Sequence, residues 1–380
     1  MAVAVVVRMF VFAAAIAWPI PDEGGLPVSP LAEPAYLDFD FYVMSLHEYA
    51  TSLGAFATRL LAFYLDGSAF RPDALANVAA SGPGELVLAG PVFPLLLAAT
   101  GYAYGHSLPL AIGYLVLGSA IALGWLRWLD GRGVGPHWLY LFAIVPNPIW
   151  FMLVVSPDLL FAGEFAAFYL AYFAAPTRWR RGVWVTAFVL MALTRPNAVS
   201  VSLFVAIDIC VDLWRERRFA PARIAGAATA AILPSLFWFP DFLYELSLAG
   251  STLTYFGHTP AHYFQGVFTA LPRWLDLPLS WLCLVAAKAA YFTGLRPSYG
   301  VTPFALVAAR GAAGLVLLPG LLYVLVRGAW RDRVLIGVYV LPVLLLASQD
   351  RYDLPILPIL FLYGHAAIRA WRRLGVPRAA

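Results

Sequence analysis

Residues 108–128 read LPLAIGYLVLGSAIALGWLRW, an apolar run whose one charged side chain, Arg127, comes near its end. A helix needs roughly 20 consecutive apolar residues to cross the hydrocarbon core of a bilayer. Runs of similar character recur along the 380 residues, of which 62% are hydrophobic and 12% charged, against roughly 25% charged in a soluble domain. The mean hydropathy is +0.78. The sequence therefore reads as an all-α polytopic membrane protein, a single integral-membrane domain over residues 1–380, and not as a soluble fold. Its net charge of +4 comes from Lys and Arg in short clusters between apolar runs. That pattern reports topology, and no basic, aromatic-interleaved stripe points to nucleic acid. Cys210 and Cys283 sit apart in apolar contexts, as inert buried thiols would.

Residues 2–20 carry Arg8 and an apolar run ending at Pro19, which fits a first span with a cytoplasmic N-terminus. Ala15-Ile16-Ala17 would also suit signal-peptide cleavage, but the many later spans favour a retained anchor. A long segment, 21–107, follows, with an amphipathic stretch from Glu48 to Leu65 that reads as a helix along the membrane surface. Within it, 88–104 is apolar enough to suggest a span. If it crossed, the clusters Arg127/Arg132, Arg178/Arg180/Arg181, Arg215/Arg217/Arg218, Arg327/Arg331/Arg333 and Arg369/Arg372/Arg373 would all face outward. As a dipping or interfacial helix it leaves all of them inside. The expected spans are then about 108–128, 138–155, 158–175, 183–197, 198–214, 224–240, 304–327, 334–348 and 355–370, about ten with the first. Residues 241–303 form a second extracytoplasmic segment, whose apolar part, 279–293 with Lys288, reads as re-entrant or interfacial.

This topology, built from basic residues alone, gathers other polar residues on the outer side. Asp38 and Asp40 follow the first span inside Tyr36-Leu37-Asp38-Phe39-Asp40-Phe41-Tyr42, and Ser156-Pro157-Asp158 turns between two spans. Arg195 sits in the break Thr194-Arg195-Pro196-Asn197, and Gln349-Asp350-Arg351-Tyr352-Asp353 caps the last outward turn. Carboxylates with two arginines suit a phosphate-bearing lipid donor, since a guanidinium fork matches phosphate and a carboxylate can act as general base. Plainer readings stand beside these. Asp38 and Asp40 could be solvated loop acids, Asp158 a helix cap, Arg195 half of a structural pair, and Arg351 a bridge between Asp350 and Asp353. His258 and His262 are four apart, but Pro260 between them spoils a helical metal pair.

The same stretches resemble the polytopic GT-C glycosyltransferases that use polyprenyl-phosphate sugars, such as dolichyl-phosphate-mannose mannosyltransferases and bacterial aminoarabinose-type transferases. The likeness rests on Asp38 with Tyr42, on Gly90-Pro91-Val92-Phe93-Pro94-Leu95-Leu96 through Tyr104-Gly105, and on Ser156-Pro157-Asp158-Leu159-Leu160-Phe161. Leu193-Thr194-Arg195-Pro196-Asn197 and Arg351-Tyr352-Asp353-Leu354-Pro355-Ile356-Leu357-Pro358 complete it. The resemblance implies a GT-C-like fold and an inverting hexosyl- or pentosyltransferase of cell-envelope glycans, in a bacterial inner membrane, with its active site extracytoplasmic. It implies Asp38 as the base that deprotonates the acceptor, with Asp40 orienting it or binding the acceptor, and Arg351 as a contact to the donor phosphate. Asp158, Arg195, Asn197 and Tyr352 are implied as substrate-binding neighbours. The donor is a lipid-linked sugar and the acceptor a glycan, lipid or protein, and no metal or other cofactor is expected. A transporter or flippase for a lipid-linked sugar is the rival class, and a polymerase or ligase acting on similar lipids a third. Larger members carry a C-terminal soluble domain, whereas this chain ends soon after its last span, so acceptor binding is expected of the two outward segments.

The topology has a direct check. Cysteine labelling from outside should reach both Gly84→Cys and Ser107→Cys, and labelling of only one of the two would mean that 88–104 crosses.

Overall fold

In the computed structural model, the described residues are 1–18, 20–21, 27–28, 46–65, 90–100, 108–153, 156–217, 220–252, 255–256, 259–260, 271–295, 304–345 and 353–375. Their regular structure is helical apart from two antiparallel pairings of two residues a side, Ile20–Pro21 with Pro27–Val28 and Tyr255–Phe256 with Thr259–Pro260. The helices are α1 Ala2–Ala17, α2 Leu46–Leu65, α3 Val92–Ala99, α4 Leu108–Gly131, α5 Pro136–Ala143, α6 Pro146–Leu153 and α7 Pro157–Tyr172. There follow α8 Arg178–Thr194, α9 Ala198–Glu216, α10 Pro221–Thr252, α11 Arg273–Phe292, α12 Phe304–Arg327, α13 Trp330–Leu345 and α14 Leu357–Gly375. The chain packs as two compact units. One holds Met1–Val28, Leu115–Leu153 and Ala249–Ala380, the other Ser29–Tyr114 and Val154–Leu248.

Four helical stretches are long and apolar enough to cross a membrane, namely Leu108–Gly131, Pro221–Phe239, Trp274–Phe292 and Ala308–Arg327. By length and composition this is a membrane protein. Others are short for a span: α1, α7 and α13 have 16 residues each, about 24 Å at 1.5 Å per residue. The amphipathic stretch read at Glu48–Leu65 forms α2. The apolar 88–104 stretch contributes α3, whose eight residues rise only about 12 Å against a hydrocarbon core of about 30 Å.

Two expectations, on the span 138–155 and on the thiols, need correcting. Residues 138–155 do not form one helix, because α5 stops at Ala143 and α6 restarts at Pro146. Pro146 and Pro148 lack the N–H groups that would continue the ladder, and Val145 before a proline is pushed out of the helical region. Arg8, the positive charge of the first apolar run, is folded inward. It is 1% exposed and donates to the carbonyls of Ala4 at 3.0 Å and Ala143 at 3.1 Å, the latter at the interrupted end of α5. The stretch 279–293, read as re-entrant or interfacial, lies in the continuous helix α11, and Lys288 is folded inward. A buried lysine need not face lipid, so its charge is no bar to a span. The thiols differ as well, since Cys210 is exposed and Cys283 half-buried.

In the first unit α12 and α14 pack backbone to backbone. A Cβ on Gly320 would stand 2.0 Å from the Leu360 carbonyl oxygen, and one on Gly364 would stand 2.2 Å from that of Val316. Small residues let membrane helices approach this closely, where dispersion rather than the hydrophobic effect drives association. At the start of α13, Asp332 accepts from the Tyr363 phenol at 2.7 Å, and that phenol oxygen accepts the Ala329 N–H at 3.0 Å. In the second unit α7 and α8 form a hairpin lined by Phe165, Phe168, Tyr172, Trp184 and Phe188. Tyr172 also donates to Asp208 of α9 at 2.7 Å.

Gly320→Ala should lower stability in detergent by about 1–3 kcal/mol, the cost of overpacking against backbone that cannot turn aside. Gly311→Ala on the same helix, with nothing within 4 Å of its added Cβ, should be neutral or gain up to about 1 kcal/mol. Thermal unfolding of the two variants side by side checks this, and equal effects would contradict the close packing.

Candidate functional site

Arg195 follows α8 with an extended backbone, φ −150° and ψ 147°, the conformation that Pro196 imposes on the residue before it. The helix ends there, and α9 begins at Ala198 after Asn197. The side chain leaves this break to meet Asp158: Nη2 of Arg195 donates to Oδ1 at 2.6 Å, with the two side chains 16% and 7% exposed. Asp158 is not the helix cap. Ser156 precedes α7, Pro157 is its first residue, and Asp158 lies in its first turn, where the exposed N–H groups of a helix start favour an anion. Of the two arginines expected to face phosphate, Arg195 thus has its charge matched by a carboxylate.

The Gly90 element reaches the same place. Gly90 adopts φ +66°, and a Cβ there would stand 2.1 Å from the Leu193 carbonyl oxygen. A glycine is required both by its left-handed backbone and by this close approach. Tyr49 of α2 secures the turn by donating to the Pro91 carbonyl at 2.8 Å. Burial pushes the pKa of that phenol above its ordinary value, so it stays a neutral donor. The stretches Gly90-Pro91, Ser156-Pro157-Asp158 and Leu193-Thr194-Arg195, far apart in sequence, therefore meet within the second unit.

Two further side chains complete the cluster. Tyr114 of α4 is buried, donates to the Ser156 carbonyl at 2.7 Å, and lies within electrostatic reach of Asp158, Glu164 and Arg195. Glu164 of α7 is 7% exposed, with Oε1 2.9 Å from the Thr194 hydroxyl. Asp158 Oδ2, Glu164 Oε2, Arg195 Nε and Ser156 Oγ are buried without a hydrogen-bond partner among the described residues. Two acceptors, a donor and a hydroxyl left over around a matched ion pair can bind water or hydroxyl groups. No group of three His, Cys, Asp or Glu side chains is found among the described residues.

Sequence reasoning singled out Asp158 and Arg195, which the structure joins, and Asn197, which is half-buried at the start of α9. It missed Glu164 and Tyr114. An acid inside an otherwise apolar run was a usable signal for Glu164, whereas a tyrosine in such a run carries none. Asp38, Asp40, Arg351 and Tyr352 lie outside the described residues. Their neighbour Asp353, in the first unit, is fully buried and its Oδ1 accepts from Asn147 Nδ2 at 3.4 Å. Asn147 comes from the Pro146-Asn147-Pro148 restart of α6, another residue that the sequence left unmarked.

Removing one member of a buried pair strands the other's charge, so Asp158→Asn or Arg195→Gln alone should destabilise the protein by on the order of 3 kcal/mol. The double variant should cost clearly less than the two losses combined. Thermal unfolding of the three variants measures this coupling, and simple additivity would mean that the pair is not linked.

No protein-family model, curated protein or solved structure matches this chain.

Proposed function

We propose that the protein is an integral-membrane inverting glycosyltransferase of the GT-C type, with about ten spans, moving a hexose or pentose from a polyprenyl-phosphate carrier to an acceptor. The reaction runs on the extracytoplasmic face, in a bacterial inner membrane. The observation that carries this reading is the meeting of three stretches that bear the family resemblance, Gly90-Pro91, Ser156-Pro157-Asp158 and Leu193-Thr194-Arg195, around one buried ion pair.

In this mechanism the acceptor hydroxyl oxygen attacks the anomeric carbon while Asp38 takes its proton. The bond from that carbon to the phosphate oxygen breaks with inversion, and the lipid phosphate departs with the electron pair, stabilised by Arg351. A phosphate is a weak base and leaves without a general acid. Asp40 orients Asp38 or the acceptor. Arg195, held by Asp158, acts with Asn197 and Tyr352 in holding the substrates.

Transfer from a short-chain polyprenyl-phosphate sugar by purified protein in detergent tests the reading, because a transporter or flippase gives no product where there is no membrane to cross. Asp38→Asn should keep donor binding and lose turnover by about 10²–10⁴-fold, the usual worth of a general base. Arg351→Ala should weaken donor binding by roughly ten- to a hundred-fold, with only partial rescue by lysine. Full turnover in Asp38→Asn would overturn the mechanism.

A further inference from the structure

Thr194 is the last residue of α8 and immediately precedes Arg195. Its hydroxyl oxygen lies 2.8 Å from the Leu190 carbonyl oxygen and 2.9 Å from Glu164 Oε1. A threonine hydroxyl owns one proton, and in a helix that proton habitually goes to the carbonyl one turn back, which can only accept. With the proton committed there, the contact with Glu164 needs a proton from the other side. Charge balance points the same way. Asp158, Arg195 and Glu164 all lie within electrostatic reach of the Tyr114 phenol, and what bears on the Glu164 carboxyl itself is its burial and its contact with Thr194. The Arg195 guanidinium already holds Asp158 at 2.6 Å. A second ionised carboxylate would leave this buried group with net negative charge, which a low-dielectric interior strongly disfavours.

We infer that Glu164 is a carboxylic acid in the folded protein, donating to the Thr194 hydroxyl, and that it is the positioning residue that fixes the end of α8 from which Arg195 reaches Asp158. The site is thus a proton-holding one, built from a three-oxygen chain of Glu164, Thr194 and the Leu190 carbonyl. This goes beyond the proposed transferase activity and does not depend on it.

Difference infrared spectra of the wild type and Glu164→Gln in detergent read the proton directly. The expected result is a carboxylic-acid carbonyl band that shifts in D₂O and is absent from Glu164→Gln, whereas loss of a carboxylate band in its place would overturn the assignment. Should Glu164→Gln fail to fold, Thr194→Val serves: removal of the accepting hydroxyl should shift the acid band, and an unmoved band counts against the bond. The positioning role is read by rescue. An amide can donate in place of the acid, so Glu164→Gln should hold the unfolding midpoint within about 1 °C, while Glu164→Ala lowers it by roughly 2–4 °C. That loss should vanish in a Thr194→Val background. Equal losses in the Gln and Ala variants, or additive losses with Thr194→Val, would remove Glu164 from this role.

Discussion

An arginine and an aspartate folded away from water are stable together only if both are held where they meet, because either alone leaves a buried charge unmatched. In the second unit of this chain much of the local structure serves that condition. Pro157 starts the helix that carries Asp158, and Pro196 stops the helix that delivers Arg195. Gly90 lets the α3 turn lie directly on the Leu193 carbonyl, and Tyr114 ties down the Ser156 carbonyl just before the acid. The aromatic lining of the α7–α8 hairpin sets the direction in which the two helix ends face each other.

A second theme is the fate of broken helices in a chain this apolar. Backbone groups freed within hydrocarbon must find partners inside the protein. Where α5 stops, Arg8 donates to the Ala143 carbonyl. Where α6 restarts, Asn147 between two prolines turns to Asp353. At the start of α13 the Tyr363 phenol serves both the Ala329 N–H and Asp332. Arg8, Asn147 and Tyr363 of the first unit thus each serve a place where regular structure is interrupted.

Composition and proline positions made much of this legible. The apolar runs forecast a helical membrane protein, Arg195-Pro196 forecast a break, and the resemblance singled out the Gly90-Pro91 stretch now seen against Leu193. What stayed hidden depends on contacts distant in sequence. Arg8 looks like a flanking positive charge because nothing nearby in the chain reveals Ala143, which is 135 positions away. The side that Lys288 faces stayed open because sequence alone cannot tell an inward-facing charge from a lipid-facing one. Glu164 escaped notice for the converse reason. A lone acid within an apolar run can be assigned a role only once Thr194, on a different helix, is seen beside it. Asp38, Asp40, Arg351 and Tyr352 rest on the sequence-based topology and on the resemblance.

The glycines of α12 and α14 have a mechanical consequence. Each fits beneath a carbonyl of the opposite helix, so the two backbones key into one another at two points along their length. A slide of one residue would advance a helix by about 1.5 Å and turn it by about 100°, replacing Gly320 in its slot with Pro319 or Leu321. Neither fits. These two helices can rock or tilt as a pair but cannot ratchet past one another, so any shear within the first unit has to be taken up at the contacts of its other helices.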